Sequence, residues 1–239
     1  LAVLSDVAAA AAIRGRVGSQ TRLATVSIRL SFSGAAAAQR VHATSHYRFG
    51  TADLAMPTAV AALSICSQGA LLCTGEASFA VLDNRRGVAP HPMARDRGLD
   101  TAGVEAQVMQ RAREALATCR DGSIPFLQAF LDLKPTATGD AAECRMRSAP
   151  HTGNRVGDIQ GGVLLGLAAH TSTAVTGPGW RLLDISAHYL AAGSGPLTAR
   201  AKAQRIGRNL ASVSCTVIGA DGRTVLRSDT TLARQASSS

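Results

Sequence analysis

The sequence predicts an α+β protein in which one unit, a helix followed by an antiparallel four-stranded run, occurs twice. Three observations predict it. An Ala-rich helical stretch at 1–14 (LAVLSDVAAAAAIR) precedes strand-like runs at 23–33, 40–49, 58–66 and 70–82. The same order returns as a helical stretch at 161–173 and strand-like runs at 182–190, 197–206, 211–218 and 224–233. The punctuation also returns. Arg48-Phe49-Gly50 matches Arg205-Ile206-Gly207, and the turn glycines Gly69 and Gly222 stand equally far before Phe79 and Leu232.

Each element has a local reason. Ala is the strongest helix former, so 1–14 reads as a helix ending near Gly15. Residues 23–33 (LATVSIRLSFS) alternate apolar and polar side chains, as a half-buried strand does. Gly34, Gly50 and Gln68-Gly69 separate the strands of the first half. In the second half Val163, Leu164, Leu167 and Ala168 make the helix apolar, and Asp221-Gly222 is a hairpin turn signal. A four-stranded antiparallel run has one apolar face, and each helix can bury against it.

Between the halves, 84–98 contains Pro90, Pro92 and several arginines and reads as a linker. Residues 101–120 read as an amphipathic helix with Val104, Val108, Ala112 and Cys119 on one face, expected to pack between the halves. A short helix at 124–133 and a strand at 141–148 lead the second half. The first half has no counterpart of either, as expected of a chain that begins inside its first repeat without an N-terminal strand. The expected organisation is a first repeat at 1–83, a linker with a helix at 84–123 and a second repeat at 124–236.

Composition narrows the function. With 46% hydrophobic and 17% charged residues the chain can build a core and is not a disordered sequence. The longest near-apolar runs, 7–13 and 161–169, fall short of the roughly 20 residues that span a bilayer, so no membrane partner is expected. No secretion signal stands at the start, and a cytoplasmic location is expected. Five cysteines without a C-x-x-C pair give neither a zinc spacing nor a disulfide framework. His42 and His46 are four apart on a strand rather than a helix and make a poor metal pair, so no metal is expected. The net charge is +9, almost all of it arginine, since Lys134 and Lys202 are the only lysines. Such a balance favours an anionic partner. The arginines are scattered, with one local group at Arg85, Arg86, Arg95 and Arg97, and aromatic residues are only 3% of the chain. A single-strand binder interleaves bases with stacking rings, so nucleic acid is not the expected partner.

The segment 151–169 (HTGNRVGDIQGGVLLGLAA) concentrates the chemistry. A loop with Asn154 and Gly157 runs into Gln160-Gly161-Gly162 and an apolar helix. Glycines at a helix start let backbone N–H groups approach a ligand closely, where they and the helix dipole can receive a developing oxyanion. This order of Asn, Gly, Gln and Gly-Gly before a small-residue helix resembles the hotdog-fold acyl-CoA thioesterases of the phenylacetate-pathway type. Asp184, Gly195-Pro196, Arg205-x-Gly207 and Asp221-Gly222 extend the resemblance over most of 124–234, and more faintly over 1–82.

The resemblance implies a double hotdog, two antiparallel sheets each wrapped around a central helix. It also implies hydrolysis of an acyl-CoA thioester to a free acid and CoA. No cofactor is implied, since CoA enters with the substrate. In such folds the Asn and the helix-start glycines come from one unit and the acid from the helix of its neighbour. Here the acid position in the second helix is Ala169, next to His170, whereas the first helix has Asp6 at the matching position. One live composite site follows, with Asp6 from the first half and Asn154, Gly161 and Gly162 from the second. Asp6 would serve as general base or as nucleophile, Asn154 would orient water or the acyl group, and Gly161 or Gly162 would polarise the carbonyl. Thr25 aligns with a hydroxyl residue that helps place the water, and its second-half counterpart is Leu182. Arg48, Arg205 and Arg208 are the candidates for the CoA phosphates. A homo-oligomer of the double unit is a further expectation. The rival reading is an acyl-CoA-binding or regulatory protein that keeps the pocket without needing Asp6. A hotdog dehydratase would want a histidine with an acid beside it, which His170 does not have in sequence.

Overall fold

Buried positions at helical spacing define the first helix, α1 (Ala2–Val17). Ser5, Asp6, Ala9, Ala10 and Ile13 are buried along one stripe, so a carboxylate lies inside the packed face. The computed structural model describes residues 1–19, 21–37, 40–51, 53–82, 106–120, 124–154 and 156–236. The expected linker at 84–98, with Arg85, Arg86, Arg95 and Arg97, lies outside them, as do residues 101–105 of the expected middle helix. α1 does not stop near Gly15. It runs to Val17 and is closed by Gly18, at φ +99°, whose N–H donates to the Arg14 carbonyl at 2.9 Å. Gly15 is thus a helix-interior glycine, and an added Cβ there meets no atom within 4 Å. Gly15→Ala is therefore expected to raise stability by about 0.5–1 kcal/mol, read from urea unfolding midpoints.

The strands of the first half are β1 (Arg22–Phe32), β2 (His42–Thr51), β3 (Thr58–Ser67) and β4 (Ala70–Leu82). Then come α2 (Ala106–Thr118), α3 (Phe126–Leu131), β5 (Thr136–Thr138), β6 (Ala141–Met146) and α4 (Gly161–Thr176). The chain ends in β7 (Trp180–Tyr189), β8 (Leu197–Ile206), β9 (Leu210–Gly219) and β10 (Thr224–Arg234). β5 was not expected from sequence; it is a three-residue arm paired with β6 across a turn at Gly139, φ +61°. Among the described residues no helix is long and apolar enough to cross a membrane.

The expected two sheets are one. The strand order is β2-β3-β4-β1-β7-β10-β9-β8-β6-β5, a single ten-stranded antiparallel sheet. β1 and β7 would be the bare edges of separate half-sheets. They pair with each other instead, from Ser27 opposite His188 to Ser31 opposite Asp184, which satisfies both rows of backbone groups. The same pairing sets buried Ile28 against Ala187 and Leu30 against Ile185, so the core runs unbroken across the junction.

The halves repeat each other down to their irregularities. β1 bulges at Val26 and β7 at Leu183, and both side chains are exposed. β4 bulges at Leu72 and β10 at Val225. The hairpin strands bulge at Arg48 in β2 and at Gln204 in β8, one residue off the register read from the two Arg-x-Gly tripeptides.

α4 is buried from Gly162 through Ala168 on every side, as a central helix must be. It packs on the second-half strands β8 and β9, whereas α1 packs on β2 and β3. The two helices touch at Gly162, where a Cβ would lie 2.5 Å from Val3 Cα and 2.7 Å from the Ala2 carbonyl oxygen. α2, expected between the halves, rests on α3 and the turn at 150–152 of the second half. Its Arg111 donates to the Phe130 carbonyl at 3.0 Å and also to that of Ala129, closing the end of α3.

Candidate active site

The closest approach of α1 to α4 brings a carboxylate to a helix N-terminus. Asp6 is 6% exposed. Its Oδ1 accepts from the Thr25 hydroxyl at 2.9 Å, and its Oδ2 accepts from the Gln160 side-chain amide. Burial raises the Asp6 pKa above the ordinary 3.8, opposed by the hydrogen bond from Thr25 and by the charge of Arg14. The carboxyl is thus a base stronger than a surface aspartate, held by fixed donors.

Each partner has a structural cause. Thr25 sits beside the β1 bulge at Val26, and a bulge re-aims its neighbours. Gln160 is the N-cap of α4. Its Oε1 accepts from the Val163 N–H at 2.9 Å, which leaves the amide nitrogen to face Asp6. Gly161 has no Cβ for a reason the geometry makes plain. A Cβ there would stand 2.9 Å from Thr25 Oγ1 and 3.1 Å from each Asp6 oxygen. The first N–H groups of a helix have no acceptor within it. At α4 the Val163 N–H goes to the Gln160 side chain. The N–H of Gly161, the first helical residue, has no acceptor inside the helix.

The structure therefore brings together Asp6, Thr25, Gly161 and Gly162 of the residues expected from sequence. Asn154 is bound within its own loop. It is exposed, and its Oδ1 accepts from the Val156 and Asp158 N–H groups at 2.9 and 3.1 Å, so the side chain shapes its own loop. Arg48, Arg205 and Arg208 are exposed, and they do not form one cluster: β2 is an edge strand, and β8 lies toward the opposite end of the sheet. Two members of the group had no role assigned from sequence. Gln160 belongs to the motif, and its cap position carried the signal for its side chain. Tyr189 donates from its hydroxyl to the Gly161 carbonyl at 2.8 Å, and burial and the Asp6 charge keep its phenol protonated.

The matching position on α4 holds no acid. Ala169 and Leu182 are half-buried where Asp6 and Thr25 stand in the first half. His170 is next to them, with a buried Nε2 that has no hydrogen-bond partner among the described residues, and burial lowers its pKa. Burial pushes the Cys73 thiol up to about 11 and that of Cys215 up to about 12, which disfavours thiolate chemistry at these two residues. A separate cavity of about 960 Å³ lies against α2, α3, β6 and β8, with Arg111, Lys134, Arg145 and Arg147 in its wall. It shares no lining residue with the Asp6 group.

No family model matches the chain, and no curated protein matches it. Solved structures do. The chain is similar to thioesterase HI1161 from Haemophilus influenzae, at 25% identity over 51% of this chain and 88% of that one, with a TM-score of 0.43. It is similar to the BH2602 protein from Bacillus halodurans with CoA, at 18% identity over 58% of this chain and 99% of that one, TM-score 0.48. It is also similar to the Escherichia coli PaaI protein from the phenylacetic acid degradation operon, at 16% identity over 52% and 96%, TM-score 0.44.

Proposed function

We propose that this chain hydrolyses an acyl-CoA thioester at a single site between its two halves, each half acting as one hotdog unit. The observation that carries the reading is a buried carboxylate of raised pKa, held by Thr25 and Gln160 at the start of a helix. Acyl-CoA as substrate rests on the resemblance of 154–162 to the thioesterase motif and on the arginine excess, which suits the phosphates of CoA.

In this reading the Gly161 N–H and the dipole of α4 receive the thioester oxygen as it becomes negative. The ionised Asp6 then acts by one of two routes. As general base it takes a proton from water while the water oxygen attacks the carbonyl carbon. The C–S bond breaks, and the proton passes on to the departing thiolate. As nucleophile its own oxygen attacks, the thiolate leaves, and water opens the resulting mixed anhydride. Label found in Asp6 after a single turnover in ¹⁸O-water establishes the second route with water attacking the Asp6 carboxyl carbon, a step the general-base route lacks.

Both routes need the carboxylate, so kcat/KM is expected to rise with pH through an acid limb that lies above 3.8, the ordinary value. Thr25→Val removes a hydrogen bond that holds the pKa down, so it should move that limb further up. A thiol-release pH profile checks both. A rate that is flat through the carboxylate range would remove Asp6 from the chemistry. Acyl-CoA binding with no thiol release on any substrate would establish the binding-protein reading instead.

A further inference from the structure

We propose that the cavity of about 960 Å³ beside α2 and β6 is a second ligand site, one that takes an organic phosphate, a multiply charged anion joined to an apolar or flat body. Its volume suits a small organic molecule, since ligand pockets run from about 300 to 1,000 Å³. Its wall sets Arg111, Lys134, Arg145 and Arg147 against two carboxylates, Asp132 and Glu143. Both carboxylates are already engaged. Asp132 pairs with Lys134 at 2.9 Å. Glu143 lies between Arg145 at 3.1 Å and Arg200, outside the wall, at 3.0 Å. That leaves Arg147 and Arg111. Arg147 makes no ion pair among the described residues. Arg111 is held by the Phe130 and Ala129 carbonyls, which fix its guanidinium without cancelling its charge, and the carboxylate beside it, Glu114 at 3.6 Å, is not part of the wall.

A surplus of arginine charge facing one space is complementary to phosphate, which a guanidinium meets through two parallel hydrogen bonds. A phosphate group alone would not fill the cavity. Buried Leu131, Met146 and Leu197 supply an apolar part of the wall, and a ligand body laid there leaves water. His151 is in the wall as well, with its ring edge-on to Phe130 at 4.8 Å. Burial and the charge of Arg111 lower its pKa, so the imidazole already senses the field of the cavity. An anion seated beside Arg111 offsets that field and raises the His151 pKa. The site shares no lining residue with the Asp6 group and does not rest on the thioesterase reading.

The test is calorimetric titration of the full chain with three probes: adenosine diphosphate, inorganic pyrophosphate and adenosine. The diphosphate nucleotide is expected to bind most tightly. Pyrophosphate should bind more weakly, because it leaves the apolar wall bare, and uncharged adenosine most weakly of all. Arg147→Glu changes an exposed side chain and should weaken the nucleotide about 10- to 100-fold, the worth of a charge-assisted hydrogen bond. Arg40→Glu makes the same change of net charge before β2, at the other end of the sheet, and should bind it like the parent. The His151 midpoint, followed by proton NMR, should rise when the nucleotide is added to the parent. No nucleotide binding, equal loss in the two variants, or an unmoved His151 midpoint overturns the site, and pyrophosphate that binds as tightly as the nucleotide overturns the apolar body. Thiol release separates a second ligand from the CoA of the substrate. Nucleotide sufficient to fill the cavity should leave the KM for acyl-CoA unchanged. A KM that rises with nucleotide in the parent but not in Arg147→Glu would make the cavity part of the substrate site and overturn a second one. Binding as expected in a protein that releases no thiol upholds the site and overturns the thioesterase reading.

Discussion

Asp6→Asn should lower kcat by about a thousandfold, within the span that a positioned general base supplies, and should leave a folded protein that still binds acyl-CoA. The side chain keeps its shape. Thr25 can turn its hydroxyl to accept from the new amide, while the remaining oxygen accepts from Gln160. Stability should move the other way. Burial holds the folded pKa of Asp6 above its unfolded value, so the fold favours the neutral carboxyl. That contribution is fully present below the unfolded pKa and is lost as pH rises through the folded one. At pH 8 the parent carries a buried charge that the variant lacks. The melting temperature of Asp6→Asn should exceed that of the parent there, and the gap should close as the pH falls below 3.8. Loss of rate with gain of alkaline stability is the pattern of a group kept for chemistry. A variant less stable at pH 8 would mark Asp6 as a structural hydrogen-bond centre.

The second large effect separates two adjacent glycines. Gly162→Ala should cost about 3 kcal/mol or more, at the upper end of overpacking, because its Cβ would meet the backbone of Ala2 and Val3 rather than a side chain that can move aside. α1 would have to leave α4, and Asp6 would leave its donors with it. Gly161→Ala meets a hydroxyl and a carboxylate instead, at 2.9 and 3.1 Å, so it should fold with a smaller loss. Its damage should appear in the rate, since the Thr25–Asp6 pair must shift to admit the methyl group. Urea unfolding should therefore show a large loss of stability in Gly162→Ala and a smaller one in Gly161→Ala, while thiol release falls in both.

Most of the fold was legible because it is written in local patterns. Ala runs, alternation and the Asp221-Gly222 turn set the elements. The order of turns and tripeptides was enough to match Asp6 with Ala169 and Thr25 with Leu182, and the bulges at Val26 and Leu183 stand one residue after Thr25 and Leu182. The continuous sheet was not legible. Whether β1 and β7 pair or stay apart is decided between strands some 155 residues apart, as in the Arg29–Asp184 ion pair at 3.3 Å, and no local pattern reports it. The hold of Asn154 on its own loop was not legible, because a loop asparagine binds its own backbone as readily as a ligand. Tyr189 escaped because it acts on a backbone carbonyl, and no sequence motif marks which carbonyl a strand-end tyrosine will reach.

Free-thiol release from a panel of acyl-CoAs, run side by side on the unmodified chain and on Asp6→Asn, decides whether the carboxylate between the two helices is the seat of a hydrolase. Turnover by the unmodified chain that nearly vanishes in Asp6→Asn, with CoA binding retained in both, is the expected result. Equal thiol release from the two proteins would contradict it and move the chemistry away from Asp6.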